Sequence, residues 1–298
     1  MTSRKLNNFS MMVAGYTGTG KSSFVNTLFN NHIIEISSKN DDEINIYTME
    51  IPINETIRKT NVVYVPSFGL KLNDKETIEN INIFIKAQFH EFLKEETKIQ
   101  RNSKFEDCRI HVLFYFIAPN INGMNSLDIE FLKSVHEYIN IIPVIGKSDI
   151  LSNKEISMMR TRFNEQIKEH NISIFNFSDD FSVLKSEVMS QIKELNTKEG
   201  KSFDFSDILP LKIVSKCWID TEQDRSHGET VIDHESLLIS DFTLVKEIVL
   251  GKTSEILIEN TNDDLYEKYR TLTLTMLLPN TKNDLNMVIE QKNLNEIF

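Results

Sequence analysis

A mostly parallel α/β sheet covered by helices on both faces is the fold class predicted for this 298-residue chain. Three observations predict it. A glycine-rich turn, Gly15-Tyr16-Thr17-Gly18-Thr19-Gly20-Lys21-Ser22, joins the apolar run from Met11 to Ala14 to a helical stripe of Phe24, Val25, Leu28 and Phe29. Short apolar runs then alternate with helical stripes along most of the chain. One of those runs ends in Gly146-Lys147-Ser148-Asp149, at the carboxyl end of a buried strand, where open α/β sheets bind their ligands.

The first turn has the spacing GxxxxGK[ST], and its chemistry is that of a phosphate cradle. Backbone N–H groups and the positive end of the following helix surround a di- or triphosphate, Lys21 neutralises the β and γ oxygens, and the Ser22 hydroxyl reaches Mg2+. Glycine lets the backbone meet phosphate at φ values closed to other residues, and three of the chain's nine glycines fall here. Gly15, Gly18, Thr19, Gly20, Lys21, Ser22 and Ser23 are the candidate phosphate-binding residues, with Ser22 the candidate metal contact.

The helix after the turn is expected over Lys21 to Asn30, followed by a polar surface loop from Ser37 to Glu43. Ile44 to Ile53 and Thr56 to Val65 are β-rich runs separated by Asn54-Glu55, most simply an antiparallel hairpin. The turn Pro66-Ser67-Phe68-Gly69 then stands where a nucleotide-sensing loop would lie. Ile78, Ile81, Ile85, Phe89 and Phe92 share one face of a long helix. His111 to Ala118 and Ile141 to Ile145 read as strands buried on both faces, with the helical stripe Leu127, Phe131, Leu132 and Val135 between them. Ser152 to Glu155 is a capping box opening a helix striped by Ile156, Met159, Phe163 and Ile167. A strand over Ile172 to Phe177, a helix over Phe181 to Leu195 and a strand over Leu209 to Val214 complete the alternation. An irregular charged segment, Cys217 to Ser240, precedes helical patterns at Asp241 to Leu250 and Asn262 to Leu274. The polar tail after Pro279 has no heptads, so no coiled coil is expected there.

Composition narrows the function. A 40% hydrophobic content supports a substantial core, in one large or two ordinary domains. The longest apolar stretch, Val112 to Ala118, is well short of the roughly 20 residues of a membrane helix, and Met1 to Ser10 lacks a signal-peptide apolar region. Cys108 and Cys217 stand alone, which points away from a disulfide framework and toward a reducing cytosol. The seven histidines lack paired ligand spacing. A net charge of −11 argues against nucleic acid or anionic lipid as the main partner.

A phosphate loop suits ATP as well as GTP, so the base must be read elsewhere. The Asp149 carboxylate can accept from both N1–H and N2–H of guanine while the Lys147 stem lies along the base. Adenine would leave that carboxylate unpaired, at a cost of about 1–3 kcal/mol or more.

The run from His111 to Pro119, then Leu127 to Leu132, His136-Glu137 and Asn140 to Asp149, resembles the core of the septins, filament-forming GTP-binding proteins. Leu209-Pro210-Leu211, Asp241-Phe242-Thr243 and Tyr266 to Arg270 resemble the septin-specific region after the G domain. The similarity spans roughly Phe9 to Leu274. It implies a septin-type domain over residues 9–277, a Ras-like P-loop G domain together with the septin-specific C-terminal extension, between a short segment at 1–8 and a short polar tail at 278–298. It also implies GTP or GDP at a subunit interface, assembly with other septin subunits into hetero-oligomers or filaments, and a place in the cytoplasm at the cortex or division site. By the same resemblance Ser215 and Gly228 belong to the guanine pocket.

Departures from the septin pattern fall on the catalytic side. Where septins carry a sequence like Asp-Thr-Pro-Gly-Phe-Gly, this chain has Tyr64-Val65-Pro66-Ser67-Phe68-Gly69, replacing the carboxylate that supports Mg2+ through water. Asn122 stands for the septin loop histidine, His227-Gly228 for the usual Trp-Gly, and Ser215 for a guanine-contacting glycine. Ser37, Ser38 and Thr48 are the candidates for a switch threonine, and no catalytic residue is assigned. Only Arg4 and Lys5 remain of the family's basic amino-terminal stretch, so weak or indirect membrane contact is expected. Retained nucleotide binding with weakened Mg2+ and little hydrolysis is the expectation. The alternative is a slow GTPase whose hydrolysis controls partner choice, whereas a phosphotransferase would leave Lys147 and Asp149 without a purpose.

Overall fold

Phe9–Gly15 forms the central strand, β1, and every one of its residues is buried. In the computed structural model, β1 lies within a six-stranded sheet of order β2-β3-β1-β4-β5-β6. The others are β2 (Asn45–Ile53), β3 (Thr56–Tyr64), β4 (Val112–Ile117), β5 (Ile141–Gly146) and β6 (Leu211–Ile213). The structure describes residues 8–35, 44–53, 56–66, 68–69, 74–100, 102, 105–176, 208–215, 240–251 and 253–277. Several expectations therefore lie outside the described residues: the loop at Ser37 to Glu43, the turn Asn54-Glu55, the helix at Phe181 to Leu195, the charged segment at 217–239 and the tail. Arg4, Lys5, Ser67, His227 and Gly228 lie outside them too.

β2 and β3 form the antiparallel hairpin expected from their alternation, in register from Asn45 opposite Tyr64 to Ile53 opposite Thr56. The β3–β1, β1–β4, β4–β5 and β5–β6 pairs are parallel. The helices are α1 (Lys21–Phe29), α2 (Lys75–Glu96), α3 (Ser126–Val135), α4 (Asn153–His170), α5 (Phe242–Leu250), α6 (Thr253–Asn260) and α7 (Glu267–Leu277). One sheet face packs Phe24, Val25 and Leu28 of α1 with Val245, Ile248 and Leu257 of α5 and α6. The other packs Ile78, Ile81 and Ile85 of α2 with Phe131 and Leu132 of α3 and Met159 and Phe163 of α4. Helices on both faces explain why β4 and β5 are apolar throughout.

The strand expected over Ile172 to Phe177 is not formed in its described part, 172–176. Asn171 ends α4 in the left-handed region, and the Ile172 N–H donates to the Ile167 carbonyl at 3.0 Å. The Phe175 N–H reaches the Ile141 carbonyl of β5 at 3.0 Å, but β6 pairs with β5 at Val144 to Gly146. β6 itself is shorter than the predicted Leu209 to Val214, since Pro210 has no N–H to extend a ladder.

The last predicted helix is longer and broken. A π-helical turn, Thr261–Tyr266, precedes α7. The Thr261 hydroxyl donates to the Leu257 carbonyl at 2.7 Å, and the Asn140 amide donates to the same carbonyl at 3.2 Å and to Thr261 Oγ1 at 3.1 Å. Side chains inserted into the helical ladder in this way widen a turn. The Arg109 guanidinium lies 3.5 Å from the Phe92 ring centre and 4.9 Å from that of Tyr266, tying the turn to α2.

Candidate functional site

The phosphate loop is shaped by its glycines. Gly18 and Gly20 have φ of 82° and 93°, in the left-handed region. α1 begins at Lys21 with no acidic residue in its first turn, so its N–H groups and dipole favour an anion. Lys21 is only 3% exposed, and its Nζ donates to the Gly15 carbonyl at 2.7 Å and the Tyr16 carbonyl at 2.8 Å. Burial lowers its pKa to about 7. Thr19 Oγ1 donates to the Tyr16 carbonyl at 2.6 Å and so braces the turn from within. Ser23 stands in the first turn of α1, where its carbonyl accepts from Thr27 Oγ1 at 2.6 Å.

The predicted base-reading segment meets this loop at β5. A Cβ placed on Gly146 would lie 2.0 Å from the Thr19 carbonyl oxygen, and one on Gly20 would lie 3.7 Å from Lys147 Cγ. At Gly146 only a residue without a side chain permits that approach. Lys147 adopts φ 51°, and Ser148–Ile150 forms a 3-10 turn that leaves Asp149 exposed beside the loop. Ser215, partly buried, follows β6 at the same end of the sheet, because Ile213 pairs with Gly146. Asn122 is exposed in the loop after β4. Thr48 lies within β2, and its hydroxyl donates to Asn61 Oδ1 at 2.9 Å, so it is engaged across the hairpin.

The third side of the site is the end of β3. The Tyr64 phenol is buried and lies 2.7 Å from Ser22 Oγ, with either hydroxyl able to donate. Burial raises the phenol pKa, outweighing the opposing Ser22 hydrogen bond, so Tyr64 is neutral. Beyond it, the Thr17 N–H donates to the Phe68 carbonyl at 3.0 Å, and Phe68 is anchored by edge contacts with Tyr16 and Phe131. The link from Tyr16 and Thr17 to Phe68 carried no sequence signal, because those positions of the phosphate motif accept almost any residue. The Tyr64–Ser22 bond was equally hidden, since the two residues are far apart in sequence.

Magnesium is a hard cation that takes carboxylate oxygens and waters. Among the described residues no group of three or more His, Cys, Asp or Glu could hold a metal ion. Ser22, the predicted metal contact, is instead paired with a neutral phenol. Nucleotide-bound magnesium needs only one or two carboxylates beside the phosphates, so the poor fit lies at Tyr64, which brings no charge to the position beside Ser22.

A septin family model matches residues 5–283. Cell division control protein 11 of Encephalitozoon cuniculi is 34% identical over 277 residues, covering 91% of this chain and 96% of that protein. Septin-1 of Bos taurus is 31% identical over 278 residues, covering 91% of this chain and 74% of that protein. The crystal structure of Cdc11 from Saccharomyces cerevisiae superposes with a TM-score of 0.58 at 23% identity, covering 89% of this chain and 99% of that one. It shares the fold.

Proposed function

The chain belongs to the septin family, and from that premise we propose that it is a guanine-nucleotide-binding subunit of a septin cytoskeleton at the division site. It assembles with other septins and turns GTP over little. The observation that supports this reading is the close approach of Gly146 to the Thr19 carbonyl, which sets the glycine-rich turn and the segment from Gly146 to Asp149 at one end of the sheet. Relatives named for cell division support the cellular role. Purification from cells that supply sister septins tests it. Guanine nucleotide and septin partners should copurify in fixed ratio, with GTP retained; a chain free of both would refute the proposal, and GDP alone would favour the slow-GTPase reading.

Nucleotide binding should also be linked to protons. Lys21 has a pKa of about 7 in this structure, and phosphate oxygens favour its charged form. Above pH 7 binding therefore takes up a proton, and affinity falls as pH rises, by at most about tenfold per unit. Calorimetry in two buffers of different ionisation enthalpy should show uptake at pH 8 and almost none at pH 6. Equal uptake at both would rule the linkage out.

A further inference from the structure

The septin family generally binds its nucleotide with Mg2+, yet the residue that meets Ser22 in this chain is Tyr64. We infer that the Tyr64–Ser22 hydroxyl pair replaces the divalent cation, so that this chain holds a guanine nucleotide independently of magnesium. This rests on the nucleotide reading above. In a G protein the serine offers a lone pair to the metal while a nearby carboxylate balances the charge through water. Tyr64 is neutral and buried at that position, and it brings no charge to offset a cation.

The pair does supply hydrogen-bonding capacity. Two hydroxyls carry two protons, and their mutual 2.7 Å bond uses one, whichever group donates. The other remains for a phosphate oxygen. The remaining anionic charge falls to Lys21, already oriented by the Gly15 and Tyr16 carbonyls, and to the amino-terminal end of α1. The Tyr64 backbone cannot swing away from the site, because β3 is held in the sheet on both sides by β2 and β1.

Titration with fluorescent GDP, in magnesium and again in chelator, tests the inference. Affinity of the unaltered chain should agree between the two within about twofold, whereas a nucleotide held through its metal should weaken by about tenfold or more, roughly 1.4 kcal/mol. Tyr64→Phe, which keeps the buried ring, should lose about five- to tenfold in both conditions alike. Tyr64→Asp should become magnesium-dependent; if it does not fold, Tyr64→Phe still decides. A loss of about tenfold or more on chelation in the unaltered chain, or Tyr64→Phe binding as the parent does, overturns the inference while leaving the nucleotide reading intact. No binding in either condition overturns both.

Discussion

GTP loaded onto the purified chain is expected to stay intact through a single turnover, at a rate near that of GTP in buffer. Hydrolysis in G proteins is positioning: a metal must bridge the β and γ oxygens and a water must be held in line. Tyr64 meets Ser22 with a neutral hydroxyl and offers no carboxylate to orient metal-bound water. Loss of that kind of support alone costs about 10- to 100-fold. The loop beyond β3 is also engaged with the phosphate loop, through the Thr17 N–H and the Phe68 carbonyl at 3.0 Å. Ser67, where the resemblance to septins leads one to expect glycine, is a second and different expected defect. Tyr64→Asp should therefore restore little by itself, and Tyr64→Asp with Ser67→Gly should be needed for turnover. Single-turnover cleavage in the unaltered chain at the rate of a hydrolysing septin would contradict this account.

Asp149→Asn is expected to exchange guanine for xanthine. The carboxylate takes two donors from guanine, whereas an amide takes one and presents its own N–H to the other. A mismatched pair at a polar site costs about 1–3 kcal/mol, or roughly 5- to 150-fold in affinity. Xanthine, with a carbonyl where guanine has its amine, accepts from the new amide. Asp149 is exposed on a 3-10 turn, so the substitution should leave the fold intact. Competition between GDP and XDP for labelled nucleotide reads the exchange directly. Unchanged GDP affinity in Asp149→Asn would remove Asp149 from the base site.

The sheet and most of its helices were legible in the order of residues alone, as was the candidate site's meeting of the glycine-rich turn with the end of β5. The phosphate loop could be read because its chemistry is backbone chemistry, which only glycine at Gly18 and Gly20 allows. β4 and β5 could be read because burial on both faces leaves an unbroken apolar run. α6 was not foreseen: it opens with Thr253 and Ser254, both buried, and Ser254 Oγ accepts from the Arg58 guanidinium of β3. Polar residues buried in the core leave the same mark in sequence as a solvent-facing turn. The strand at 172–176 did not form although the Phe175 N–H reaches the Ile141 carbonyl of β5 at 3.0 Å, since periodicity does not say whether an apolar run will extend one such bond into a ladder. Tyr64 could be read from sequence only as a lost carboxylate. That its hydroxyl reaches Ser22 emerged only once the chain was folded, because parallel pairing of β3 with β1 brings the end of β3 beside the start of α1, and hydrogen bonds between distant residues leave no trace in local pattern.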